Sequence, residues 1–132
     1  MNYMEIALQE AKKAEKKGEV PIGCVIVKAG QIIAKAHNLR ENKKKATAHA
    51  EVLAINKACR KLRNWRLSGC EMYVTLEPCP MCMGAIANAR IDMIYYGATN
   101  ENKELNHQLK AELCENNECQ EILRKFFSKK RQ

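Results

Sequence analysis

Apolar residues along the chain switch between two spacings, and the switches mark out its elements. Ile6, Ala7, Ala11 and Ala14 recur at helical intervals, predicting a helix from about Tyr3 to Lys17 with Gly18 as its stop. After Pro21, the runs Ile22 to Val27 and Gln31 to Ala36 flank Ala29-Gly30 and read as two strands joined by a tight turn. His37 to Thr47 is polar and lysine-rich, a predicted loop. Helical spacing returns from Ala48 to Leu62 through Val52, Leu53, Ile55 and Ala58, so a second helix begins near His49. Met72, Val74 and Leu76 alternate with Glu71, Tyr73 and Thr75, predicting a strand from Cys70 to Leu76. Pro78 and Pro80 then precede the small apolar run Met81 to Ala89, where proline belongs in the first turn of a third helix. Ile91 to Tyr96 reads as a strand, Ala98 to Asn106 as a loop and Gln108 to Leu113 as a short strand. A last helix is predicted from Asn116 to Lys129, with Cys119, Ile122, Leu123, Phe126 and Phe127 on its apolar side. No repeat or linker interrupts the series, so residues 1–132 are expected to form one α/β domain, a single sheet with helices on its faces.

Composition narrows the setting. The 132 residues, 46% of them hydrophobic, suffice for a core without staples. The seven cysteines are odd in number and follow no N-terminal export signal, which points to thiols used singly or as metal ligands in a reducing, cytoplasmic compartment. No apolar stretch approaches the roughly 18 residues that a membrane span needs, so no membrane partner is expected. The net charge of +8 favours polyanionic partners, although a solvated basic surface gives the same sum. Five basic residues crowd the tail: Arg124, Lys125, Lys129, Lys130 and Arg131.

Two segments carry chemistry, His49-Ala50-Glu51 and Pro78-Cys79-Pro80-Met81-Cys82, each at a predicted helix start. A catalytic zinc takes three protein ligands and leaves its fourth position to water, and one His with two Cys meets that count. The Cys79-x-x-Cys82 gap lets both sulfurs reach one ion from a single turn, where a helix N-terminus offsets thiolate charge. Glu51, two residues beyond His49, is the candidate proton carrier. Side chains two apart in mid-helix diverge by about 200°, so the pair can serve one site only off the end of the helix. Two other readings stay open at this point. Cys79 and Cys82 could form a redox pair, or a structural zinc could recruit a fourth ligand from His37, His107, Cys70, Cys114 and Cys119. The five cysteines outside the motif, Cys24, Cys59, Cys70, Cys114 and Cys119, fall in apolar elements and read as small core residues.

The pair His49-x-Glu51 and Pro78-Cys79-x-x-Cys82 resembles the signature of zinc nucleobase deaminases. Gly18-Glu19-Val20-Pro21-Ile22-Gly23, His37-Asn38, Thr47-Ala48-His49-Ala50-Glu51, Thr75-Leu76-Glu77-Pro78-Cys79 and Phe126-Phe127 extend it over nearly the whole chain, toward the bacterial tRNA adenosine deaminases of the cytidine deaminase superfamily. The resemblance implies a three-layer α-β-α fold around a mixed sheet of about five strands, one zinc ion per chain, a homodimer, and conversion of adenosine to inosine at the wobble position of a tRNA anticodon arm. It also implies that Asn38 hydrogen-bonds the flipped base and that the backbone amides of Ala50 and Cys79 line the pocket. Residues Leu123 to Arg131 would follow the tRNA phosphates, with Phe126 or Phe127 shaping the rim. One departure stands out: after Gly97-Ala98 the family carries a longer glycine- and serine-containing connection, whereas here Thr99 to Leu105 passes almost directly to Asn106-His107. The motif alone also fits deamination of a free base or nucleoside such as cytosine, cytidine or guanine. A zinc-stabilised RNA-binding module without catalysis would leave Glu51 unexplained.

Overall fold

The computed structural model describes residues 2–100 and 109–130. Helix α1 (Tyr3–Lys16) opens on Asn2, whose side chain accepts the Glu5 N–H. It closes where Gly18, at φ +76°, turns the chain so that the Gly18 and Glu19 N–H groups reach back to Glu15 and Ala14, satisfying carbonyls that the helix end leaves open. Strands β1 (Gly23–Lys28) and β2 (Gln31–His37) form the expected hairpin. A four-residue helix α2 (Arg40–Lys43) then lies inside the stretch expected to be loop, and α3 (Ala50–Leu62) follows with His49 as its N-cap residue. Strand β3 (Cys70–Val74) leads into α4 (Pro80–Ala89), capped by Cys79 with Pro80 in its first turn. Strands β4 (Met93–Tyr96) and β5 (Ala111–Leu113) and helix α5 (Asn117–Lys130) complete the order.

The strands form one five-stranded sheet in the order β2-β1-β3-β4-β5. The β1/β2 and β1/β3 pairs are antiparallel, whereas β3/β4 and β4/β5 are parallel, so the sheet is mixed as expected. Alternation along β1 sends Cys24 and Ile26 to one face, against Ala54, Ala58, Met83 and Ile86 of α3 and α4. Val25 and Val27 meet Ala7, Leu8 and Ala11 of α1 and Ile122 and Leu123 of α5 on the other. The result is three layers, helices on both faces of the sheet. Being covered on both sides, β1 is apolar at Cys24, Val25, Ile26 and Val27 without a polar alternation. Among the described residues no helix is long and apolar enough to cross a membrane.

Register decides where a site can lie. Gly23 pairs with His37 and Cys24 with Val74, so the start of β1, the end of β2 and the end of β3 share one edge of the sheet. Helices α3 and α4 follow β2 and β3 from that edge, so both begin beside it. The edge is drawn tight against α1. A Cβ on Gly23 would stand 1.9 Å from the Ala7 carbonyl oxygen, so no side chain fits there. Thr75 ties the edge laterally, its Oγ1 accepting the Gly23 N–H at 3.1 Å.

Candidate active site

The two helix starts bring the expected ligands together. Nδ1 of His49 lies 3.7 Å from Cys79 Sγ and 3.4 Å from Cys82 Sγ, and the three donor atoms all fall within 4.8 Å of one another. Zn–N near 2.05 Å and Zn–S near 2.3 Å give a tetrahedral N···S edge of about 3.6 Å, between the two observed values. His49 and Cys79 cap α3 and α4, outside the regular helix, which is why residues from separate helices can converge. Burial, followed by the Arg40 charge, lowers the His49 pKa and keeps the ring neutral, the form in which imidazole binds a metal. Burial, followed by the Glu51 and Cys79 charges, pushes the Cys82 thiol far up, so a thiolate there needs a cation beside it. Among the described residues no fourth His, Cys, Asp or Glu joins the group. His37 is engaged elsewhere, its Nδ1 on Glu10 at 3.0 Å and its Nε2 beside Lys17 Nζ at 3.0 Å. His107 lies outside the described residues.

Glu51 is 3% exposed, on the stripe of α3 that continues through Ile55 and Ala58. Helical packing thus buries a carboxyl in the core face, and burial raises its pKa to about 7 against the opposing effects of its own N–H and Cys82. Among the described residues its Oε1 has no hydrogen-bond partner. A buried polar atom of this kind calls for an occupant beyond the chain, such as water or substrate. Donor chemistry, ligand spacing and this orphaned oxygen all fit a catalytic zinc.

A cleft of about 290 Å³ reaches this group at His49. Its walls include Val20 and Ile22 from the segment before β1, Asn38 after β2, Arg40 and Glu41 of α2, and Phe126 and Phe127 of α5. Asn38 is buried, and its Oδ1 accepts the Ala50 N–H at 2.8 Å. That bond satisfies an open donor at the start of α3 and engages the Ala50 amide, which was expected to face the substrate. With its oxygen fixed, Asn38 has its Nδ2 donor left for other contacts. Phe126 is mostly core and Phe127 is 46% exposed, the two rings meeting edge to face.

The tail has mixed standing. Lys125 and Lys129 are exposed, whereas Arg124 is paired with Glu121 one turn earlier. The Lys130 side chain and Arg131 lie outside the described residues, as does the shortened connection from 101 to 108. Of the cysteines expected in the core, Cys24, Cys70 and Cys119 are buried and Cys59 partly so, but Cys114 is exposed because it follows the edge strand β5.

Sequence reasoning missed Glu19 and α2. Glu19 is buried, accepting the Glu41 N–H at 3.1 Å, the Asn42 N–H at 2.7 Å and the Asn42 side-chain amide. These bonds cross more than 20 residues, so no local pattern announces them.

Known proteins resemble the chain throughout. Residues 1–131 match the family model of the MafB19-like deaminases. A tRNA-specific adenosine deaminase of Bacillus subtilis (strain 168) is 58% identical over 96 residues, 73% of this chain and 60% of that protein's length. Another, of Aquifex aeolicus (strain VF5), is 46% identical over 142 aligned positions, 98% of this chain and 94% of the relative. A solved structure from work on A-to-I editing by tRNA:A34 deaminases at the wobble position of transfer RNA superposes with a TM-score of 0.84. It is 40% identical, and the match covers 91% of this chain and 97% of that one.

Proposed function

The chain belongs to the MafB19-like deaminase family, its sheet and helices forming the cytidine deaminase-like fold, and we propose that it hydrolyses adenosine to inosine at the wobble position of tRNA. One observation carries the reading: His49, Cys79 and Cys82 converge beside a buried carboxyl with an unpartnered oxygen, where a cleft of nucleobase size ends. His49, Cys79 and Cys82 would hold zinc, which when bound supplies a Lewis acid that brings the pKa of water to about 7. Glu51 then acts as the proton carrier. As water adds to carbon 6 of the base, its carboxyl takes a proton from that water, delivers it to the ring nitrogen, and passes a second to the departing amine. Water and adenosine thus become inosine and ammonia.

The remaining residues bind and orient. Asn38, held through its oxygen by Ala50, offers its Nδ2 to an acceptor on the base. The Cys79 amide, at the N-cap of α4, belongs to the same pocket in this reading. A base must leave its stack to reach the floor, and the apolar walls Val20, Ile22 and Phe126 exclude water around it. Phe127, with Lys125 and Lys129, faces the flanking nucleotides and phosphates, joined in this reading by Arg124, Lys130 and Arg131. The same reading has residues 1–132 working as one domain in the cytoplasm, as a homodimer on the anticodon arm.

Incubation with an anticodon stem-loop bearing wobble adenosine, and separately with cytosine, cytidine, guanine and adenosine, tests the substrate class. Ammonia and inosine are expected from the stem-loop alone. Release from a free base or nucleoside with none from RNA would replace the reading by small-molecule deamination.

A further inference from the structure

Resting on the tRNA reading, we propose that the turn from Arg40 to Lys45 is a second RNA-backbone contact, distinct from α5 and carried by Lys43, Lys44 and Lys45. Three consecutive lysines follow Arg40 and Glu41 of the cleft wall, and Lys45 stands four residues before His49. All three are exposed, and among the described residues none forms an ion pair. Like charges at this density repel one another, so an unattached segment would extend into solvent. Instead the turn is fastened. The buried Glu19 carboxylate accepts from Glu41 and Asn42, and the Asn42 side-chain amide also donates to the Lys17 carbonyl at 3.2 Å. Lys45 N–H closes on the Arg40 carbonyl at 3.1 Å, and Ala48 N–H on that of Lys45 at 3.1 Å.

This fixation works against local preference. Lys44 sits at φ +54°, a left-handed conformation that costs a non-glycine residue free energy, and a carboxylate has been desolvated to hold the turn. Such an arrangement keeps unpaired cations on the same turn that supplies Arg40 and Glu41 to the cleft wall. The chemistry that matches it is a row of phosphates flanking the base in the cleft. Lys16, at the end of α1 and next in the chain to the Lys17 whose carbonyl anchors the turn, is exposed as well. Glu19 is a positioning residue in this account, acting on RNA through the turn.

Binding of a fluorescent anticodon stem-loop, measured across a salt series, tests the proposal with K43Q/K44Q/K45Q and K43R/K44R/K45R. The glutamine variant should bind more weakly and lose about 2 from the slope of log affinity against log salt, at about 0.7 per single-strand phosphate contact. Its zinc content should match wild type, and the arginine variant should bind as wild type does. Wild-type affinity and slope in the glutamine variant, or an equal loss in the arginine variant, would overturn this contact alone. Failure of the wild-type protein to bind the stem-loop would overturn the tRNA reading as well.

Discussion

The floor of the cleft and its rim are built on opposite physical terms. The floor is reached at His49, and behind it the first turns of α3 and α4 hold Glu51 and Cys82 buried, with His49 and Cys79 half-buried. The rim is formed by Gly18 and Glu19 after α1, Arg40 and Glu41 of α2 and Phe126 and Phe127 of α5, and Lys16, Lys43, Lys44, Lys45, Lys125 and Lys129, on or next to those elements, stand in solvent. Burial on the floor changes protonation, as the raised Glu51 and lowered His49 show. Charges on the rim stand in solvent and are screened over about 8 Å at physiological salt, so in the proposed reading they act on a polyanion as a group. In that reading, chemistry therefore depends on single atoms of the floor, and recognition on the summed charge of the rim.

Breaking the floor should produce the largest effect. Cys82→Ser removes a thiolate that nothing nearby replaces, and the expected outcome is loss of stoichiometric zinc, of activity and of metal-linked stability. With free metal a thousandfold above its dissociation constant, that linkage is worth about 4 kcal/mol. Metal analysis and thermal unfolding with and without chelator read it. A Cys82→Ser protein that keeps both zinc and turnover would remove this residue from the metal site. Glu51→Gln separates the two functions of the floor. It keeps the shape and the metal but removes the proton carrier, so kcat should fall by about 10²–10⁴ with zinc content and RNA affinity unchanged. Loss of zinc from this variant would make Glu51 a structural element of the site.

The floor was far more legible in the sequence than the rim. His49, Cys79 and Cys82 announce themselves because metal chemistry restricts residue type and spacing, and because periodicity places each motif at a helix start. Even the burial of Glu51 follows from pattern, since it stands one turn before Ile55 on the apolar face of α3. The rim depends on contacts between distant segments. Helix α2 is four residues long, too short for any periodic signal. The Glu19 carboxylate and its donors on residues 41 and 42 are brought together only by the fold, as are Glu10 and His37. Cys114 reads as core in sequence because an edge strand is not distinguishable there from a covered one.

Glu19 is where the contrast becomes sharpest, since it is a buried charge that serves the exposed rim. Burial raises its pKa, but hydrogen bonds from the Asn42 side chain and the Asn42 and Glu41 N–H groups, with the Arg40 charge, outweigh that and hold it below the ordinary 4.5. A carboxyl with a depressed folded pKa contributes stability that is complete above its unfolded value and disappears as pH falls through the folded one. Glu19→Gln replaces one acceptor oxygen by an amide NH2 donor facing N–H donors, so the variant should be less stable at pH 7 by about 1–3 kcal/mol. The gap to wild type should narrow as pH falls below about 4.5. Urea unfolding of both proteins at neutral and acid pH measures that gap. Protonation of His49 and release of metal affect both alike, so the difference isolates the clamp. A gap of constant size would mean that shape, and not the carboxylate charge, holds the turn.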